Sequence, residues 1–293
     1  MHEDEPDIDA GLVQRLIEAQ FPQWAGLPVA EVDSAGTSNA IYRLGDALTV
    51  RLPRRPEAAQ DVETEHRWLP RLGPLLPVAV PVPVERGEPD ADYPWAWSVH
   101  RWIDGTNPAP GAADSALLAD DLARFATALH RIDPAGAPPS YRSEPLAARD
   151  AATRSAVAAL HGEVDADAAL ALWDDALRAP ARSGAGVWIH ADLQSGNLLT
   201  AGGRLAAVID FGCAGVGDPA VDLLAAWYVL PASARERFRD GLGADAAMWR
   251  RGCGWALSVA LMELSYYRDT NPVMVANARH VIGELLADGA PAS

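Results

Sequence analysis

The chain has 293 residues, 49% of them apolar, which is enough to bury a sizeable core and sets a prior of two domains or one bilobal unit. Its formal net charge of −16 argues against nucleic acid as a partner, because such binding rests on many basic side chains meeting phosphates. All 24 basic residues are arginines, so a Walker A loop and Schiff-base or pyridoxal chemistry, each of which needs a lysine, are excluded.

No apolar run approaches the roughly 18 residues of a membrane-spanning helix. The start, MHEDEPDIDA, is acidic where a secretory signal is basic and then apolar. Cys213 and Cys253 lie in no C-x-x-C or Cys/His cluster, which removes most support for a disulfide scaffold or structural zinc. The expectation is a cytoplasmic protein with no membrane and no nucleic-acid partner, and nothing in the sequence implies a protein partner.

In chain order, Asp9 to Phe21 sets Leu12, Leu16, Ile17 and Phe21 on one helical face behind a capping Asp. Ile41 to Leu52 shows two β-prone runs split by Gly45-Asp46, which predicts a hairpin. Glu57 to Leu72 reads as a helix, and the Pro-rich VAVPVPV run after it as an extended connection. Trp95 to Ile103 alternates Trp95, Trp97 and Val99 before Asp104-Gly105 and predicts a strand ending in a turn. From Ser115 helices dominate, beginning with Leu118, Leu122, Phe125, Leu129 and Ile132; Pro134 to Pro145 reads as a loop. The composition change puts a boundary near Asp104, giving units 1–103 and 104–293.

The informative region is VWIHADLQSGNLLTAGGRLAAVIDFGCAGVG, where His190, Asp192, Asn197 and Asp210 fall at the ends of short β-prone runs. Phosphoryl transfer needs a positioned base and hard oxygen ligands that hold Mg²⁺ without caging it. Asp192 is suited to accept the proton of an acceptor hydroxyl, Asn197 and Asp210 to ligate the metal, and His190 to brace the loop. Each residue alone is an ordinary turn or cap residue. Together, H-x-D-x-x-x-x-N with D-F-G 18 positions after its aspartate is a compound pattern.

On these residues the chain resembles the aminoglycoside phosphotransferase family of small-molecule kinases. Ala191 replaces the arginine of the protein-kinase H-R-D, and Gly196 precedes the asparagine as in small-molecule kinases, which points away from protein substrates. The resemblance implies an α+β, bilobal protein-kinase-like fold, with a small N-terminal antiparallel β-sheet lobe and a larger, mostly helical C-terminal lobe. It implies Mg²⁺ as cofactor, ATP or GTP as phosphoryl donor, and a small hydroxylated acceptor, by family default an antibiotic.

Carried over by position, Gly36, Thr37 and Ser38 match the nucleotide-covering loop. Arg51 in LTVRLP stands where the family has its phosphate-binding lysine; arginine keeps the charge but is a longer, planar fork. The implied acidic partner of Arg51 is Glu65, with Glu63 as a rival. Ser98 to Arg101, with Ser98 and His100, match the hinge whose backbone meets the base, and Asp218 and Asp222 match a supporting segment after D-F-G. Acceptor-site candidates are the acidic residues from Glu163 to Asp175, with Glu263, Tyr266, Tyr267 and Arg268. Alternatives of the same or other chemistry are a kinase of a sugar, amino alcohol or nucleoside-like metabolite and, because of Arg51, a non-catalytic nucleotide-binding pseudokinase. A metal hydrolase built on His190 and Asp192 ranks last, lacking further clustered ligands.

Overall fold

The computed structural model describes residues 6–32, 38–109 and 115–289. Asp9 accepts a hydrogen bond from the Leu12 amide at 2.7 Å and caps helix α1 (Ala10–Gln20), satisfying a donor that the first helical turn leaves without a partner. The chain continues through β1 (Val29–Glu31), β2 (Asn39–Leu44), β3 (Leu48–Pro53), α2 (Pro56–Leu72), β4 (Pro83–Gly87) and β5 (Trp97–Arg101). These strands form one antiparallel sheet in the order β1-β2-β3-β5-β4.

Alternation decides the two faces of that sheet. Ala40, Tyr42 and Leu44 of β2, Leu48, Val50 and Leu52 of β3, and Trp97 and Val99 of β5 are buried with Leu12, Val13, Leu16 and Ile17 of α1 in one apolar cluster. Arg51 lies between Val50 and Leu52 in β3 and therefore points to the other face, as does Ser98, its cross-strand partner in β5. The predicted hairpin turn at Gly45-Asp46 runs over three residues, 45–47, between the paired Leu44 and Leu48; Gly45 supplies the positive φ of 59°. The Pro-rich run ends in β4, an edge strand, where a proline at the strand start removes no needed ladder bond.

The remaining elements are α3 (Ser115–His130), α4 (Asp150–Ala159), α5 (Ala166–Arg178), β6 (Val187–Ile189), β7 (Leu198–Ala201), β8 (Arg204–Val208), β9 (Gly215–Gly217), α6 (Ala225–Tyr228), α7 (Ala232–Leu242), α8 (Ala246–Tyr267) and α9 (Pro272–Gly289). In α3 the apolar positions Leu118, Leu122, Phe125 and Leu129 are all buried, at the helical spacing read from the sequence. Helix α8 is buried over most of its middle, from Gly252 to Leu261, and its glycines permit close packing. A Cβ at Gly252 would come 2.6 Å from Leu223 Cβ, and one at Gly254 would come 2.6 Å from Ala176 Cβ. Among the described residues no helix is long and apolar enough to cross a membrane.

The described residues divide into two compact units. One runs to Gly105 and also takes in Ala207–Gly212; the other comprises Thr106–Ala206 and the residues from Cys213 onward. A cut in sequence at 103/104 therefore differs from the packing in two respects: the sheet unit runs on to Gly105, and the stretch that ends in D-F-G groups with it. The Val208 amide donates to the Ala79 carbonyl at 3.0 Å, anchoring that stretch beside the residues that follow α2.

Candidate functional site

In the sheet unit, Arg51 is the centre of a charge cluster. Its Nη1 donates to both carboxylate oxygens of Glu65 on α2, at 2.7 and 3.0 Å, and its Nη2 donates to Asp210 Oδ1 at 3.2 Å. Glu65 is almost wholly buried, and its Oε1 also accepts from the Phe211 amide at 3.1 Å, so one carboxylate holds both the arginine and the D-F-G backbone. Glu63, the rival read from the sequence, is exposed. Burial alone would lower the Arg51 pKa, but Glu65 and Asp210 more than offset this and raise it, keeping the guanidinium charged. Burial pushes the Glu65 carboxyl up against the opposing pull of Arg51.

Asp61, one turn before Glu65, is a third carboxylate of this cluster that sequence reading missed. Burial first, then Glu65 and Asp210, push its pKa up to about 7. A Cβ at Gly212 would come 2.8 Å from Asp61 Oδ2, so the D-F-G glycine makes room for it. The signal was available only after Glu65 had been assigned, since Asp61 lies four residues earlier on the same helical face.

Ser98 and His100 do not serve as a free hinge. Both are buried in β5, where Ser98 pairs with Arg51 of β3 and Arg86 of β4, and His100 with Thr49 and Pro83. Their backbone belongs to the sheet, and their side chains hydrogen-bond each other at 2.5 Å. Burial, followed by Arg51 and His66, pushes the His100 pKa well down, which leaves a neutral ring. The chain leaves the sheet only after Arg101, and the Trp102 amide still bonds to the Ala47 carbonyl at 2.8 Å. Of the nucleotide-loop residues, Gly36 and Thr37 lie outside the described residues; the Ser38 carbonyl accepts from the Arg54 amide at 2.8 Å.

In the helical unit, the turn after β6 carries Asp192. Ala191 and Asp210 are the non-glycine residues with positive φ among those described, at 67° and 63°, a conformation that costs on the order of 1–3 kcal/mol and persists only when the surroundings enforce it. For Ala191 the enforcement is visible. Fully buried Asp222 accepts from the His190 amide at 3.2 Å and the Ala191 amide at 2.7 Å, and pairs with His130 Nε2 at 2.9 Å. His190 is itself buried, and its Nδ1 accepts from the Asp192 amide at 3.3 Å.

Every carboxylate oxygen of Asp192 is engaged. Asn197 Nδ2 donates to Oδ2 at 2.8 Å and to the Asp192 carbonyl at 2.9 Å. Oδ1 accepts from Arg142 Nη1 and from Gln194 Nε2, each at 3.1 Å. Gln194 also donates to Glu263 Oε1 at 2.8 Å, and Tyr228 donates to Glu263 Oε2 at 2.8 Å. Burial pushes the Glu263 carboxyl up to about 7. Neither Arg142 nor Gln194 was singled out by the sequence. Gln194 lies inside the motif's variable positions, and Arg142 lies 50 residues earlier in a loop with no signal of its own.

The metal ligands read from the sequence have the right chemistry. Asn197 spends its amide nitrogen on Asp192, which leaves its carbonyl Oδ1 as a neutral hard donor, and Asp210 offers a half-exposed carboxylate. Among the described residues no group of three or more His, Cys, Asp or Glu side chains is placed to hold a metal unaided. Of the acceptor candidates, Glu163 and Arg268 are bonded to each other, and Glu163 is also bonded to Arg279 at 2.9 Å. Asp174 pairs with Arg154, and Asp175 lies near Arg178 and Arg250, so these acidic groups are already compensated.

The profile of the phosphotransferase enzyme family matches residues 29–255. A comparison with curated proteins finds no match. Among solved structures, the chain is similar to the GDP complex of wild-type aminoglycoside 2'-phosphotransferase-IIIa, with TM-score 0.77 and 19% identity over 97% of this chain and 100% of that one. It is similar also to macrolide 2'-phosphotransferase MphH from Brachybacterium faecium, with TM-score 0.62 and 22% identity over 97% of this chain and 99% of that one. A gentamicin complex of APH(2")-IIa gives TM-score 0.64 and 16% identity over 96% and 99%. These likenesses carry the α+β kinase-like fold, and with the family match over residues 29–255 the chain belongs to the phosphotransferase enzyme family.

Proposed function

We propose that the protein transfers the γ-phosphoryl group of ATP or GTP, with Mg²⁺, to a hydroxyl of a small-molecule antibiotic. The observation that carries this reading is the state of Asp192. Its carboxylate is held at the tip of an enforced turn, with Oδ1 occupied by two donors and Oδ2 by the single Asn197 donor. Oδ2 therefore keeps capacity to accept the acceptor's hydroxyl proton and align the oxygen for attack. Mg²⁺, when bound, would neutralise charge on the phosphate oxygens, with Asn197 and Asp210 each supplying an oxygen ligand. Arg51, kept cationic and anchored by Glu65, supplies the phosphate-facing charge that a lysine supplies elsewhere in the family. The antibiotic acceptor is supported by the names of the similar structures, which are aminoglycoside and macrolide phosphotransferases.

The test incubates the protein with Mg²⁺ and ATP or GTP beside kanamycin, gentamicin, streptomycin and a macrolide, and reads product mass for one added phosphoryl group. Transfer is expected to fall by about 10²–10⁴-fold in Asp192→Asn, the usual worth of a positioned base. Nucleotide binding without product on any antibiotic points to a metabolic acceptor; absence of nucleotide binding overturns the kinase reading.

A further inference from the structure

Arg142 is a nearly buried arginine that no motif contains. Its side chain is 12% exposed, beside an Asp192 side chain at 22%. Nη1 alone makes two bonds: one to the carbonyl of Ala191, the residue forced to positive φ, at 2.5 Å, and one to Asp192 Oδ1 at 3.1 Å. Burial opposes the charge on Arg142, but Asp192, ahead of Cys213, Glu263 and Tyr228, more than restores it and raises its pKa. A planar cation satisfied in this way is a fixed strut.

The strut is itself anchored. The Arg142 amide donates to Ser140 Oγ at 3.1 Å, and that hydroxyl donates to the Cys213 carbonyl at 2.7 Å. The Ser140 amide bonds to the Val216 carbonyl at 3.0 Å, and the Val216 amide to the Pro138 carbonyl at 2.8 Å. The Tyr141 amide bonds to the Cys213 carbonyl at 3.2 Å. Residues 138–142 thus lie along the segment that follows D-F-G, and the arginine at their end reaches the base.

We propose that Arg142 is a positioning residue for phosphoryl transfer: it clamps the Ala191-Asp192 turn and sets the direction of the Asp192 carboxylate, so that Oδ2 faces the acceptor. The inference rests on the reading of Asp192 as the base. Removing the clamp leaves the nucleotide and acceptor contacts in place and misdirects only the group that acts in the transition state. Its signature is therefore a loss in kcat with KM kept.

The experiment compares wild type, Arg142→Met, Arg142→Lys and Asp192→Asn with MgATP and MgGTP, using the phosphorylated antibiotic as acceptor or, where none is phosphorylated, release of phosphate to water. Arg142→Met is expected to lose about 10- to 100-fold in kcat, the scale of a reacting group misplaced by about 1 Å, with both KM values within about twofold. Arg142→Lys, whose ammonium can restore one of the two bonds, is expected to regain part of the loss. A Met variant at wild-type kcat overturns the proposal, as does a loss carried by KM. If the Met variant fails to fold, a folded Lys variant at full kcat overturns it and one with reduced kcat at unchanged KM sustains it. A wild type without Asp192-dependent transfer overturns the underlying reading instead, whatever the Arg142 variants do.

Discussion

Arg51 and Glu65 are joined through a single guanidinium nitrogen that donates to both carboxylate oxygens, at 2.7 and 3.0 Å, with Arg51 13% and Glu65 3% exposed. The pair lies on the sheet face opposite the α1 core, and the same carboxylate holds the Phe211 amide. Its value to the fold is asymmetric: formed, it compensates two desolvated charges; broken, it leaves one of them alone.

Arg51→Met is accordingly expected to destabilise the protein by about 3–5 kcal/mol, the usual result of stripping one partner from a buried ion pair. The double variant Arg51→Met, Glu65→Leu is expected to recover much of that loss, because no buried Glu65 carboxylate is then left without its arginine, while Asp210, which also loses Arg51, is half-exposed to solvent. Urea unfolding of the single and double variants reads both values; equal losses in the two would show that the pair is not the cause.

Glu263 sets a pH dependence. Burial above all, with the nearby Asp192, pushes its carboxyl up to about 7 from an ordinary 4.5, while the bonds from Tyr228 and Gln194 pull it down. The folded state therefore binds more protons than the unfolded state between about pH 4.5 and 7, so this group's contribution to stability falls as pH rises through that window and is constant above it. Glu263→Gln removes the titration. Its stability relative to wild type is expected to rise between pH 5 and pH 8 in urea unfolding, and a difference that does not change with pH would count against the assignment.

Gly215 in β9 has no room for a side chain. A Cβ there would come 2.5 Å from the Ser140 amide nitrogen and 2.7 Å from the Pro138 carbonyl oxygen, both backbone atoms that cannot step aside. Gly215→Ala is expected to cost about 1–3 kcal/mol through overpacking. Because the displaced residues 138–142 carry Arg142, phosphoryl transfer is expected to fall with it. Thermal unfolding and turnover measured on the same sample check the two together.

Parts of the fold and the site were legible because they are written locally. Leu12, Leu16 and Ile17 behind Asp9, and Leu118 to Leu129 in α3, declare their helices by spacing, since a helix brings positions three and four apart onto one face. His190, Asp192 and Asn197 lie within eight residues, and the geometry that joins them, a tight turn followed by a short strand, is local too. Ser98 and His100 misled for a related reason: alternation identifies a strand, but whether its backbone is free depends on which strands lie beside it.

By itself the sequence determined the H-x-D-x-x-x-x-N and D-F-G pattern, the absence of lysine chemistry, and the helix, hairpin, helix, strand and helix that run in that order from Asp9 to Ile132, all of which depend on residue type and short spacing. The tertiary structure alone decided that Glu65 rather than Glu63 meets Arg51, that Asp61 joins that cluster, that Glu163 and Arg268 neutralise each other, and that Arg142 reaches Asp192 across 50 positions. Each of these is a side-chain meeting between segments far apart in the chain, or a choice between two faces of one helix. Such choices follow from which surfaces bury one another, a property of the packed molecule that no local pattern carries.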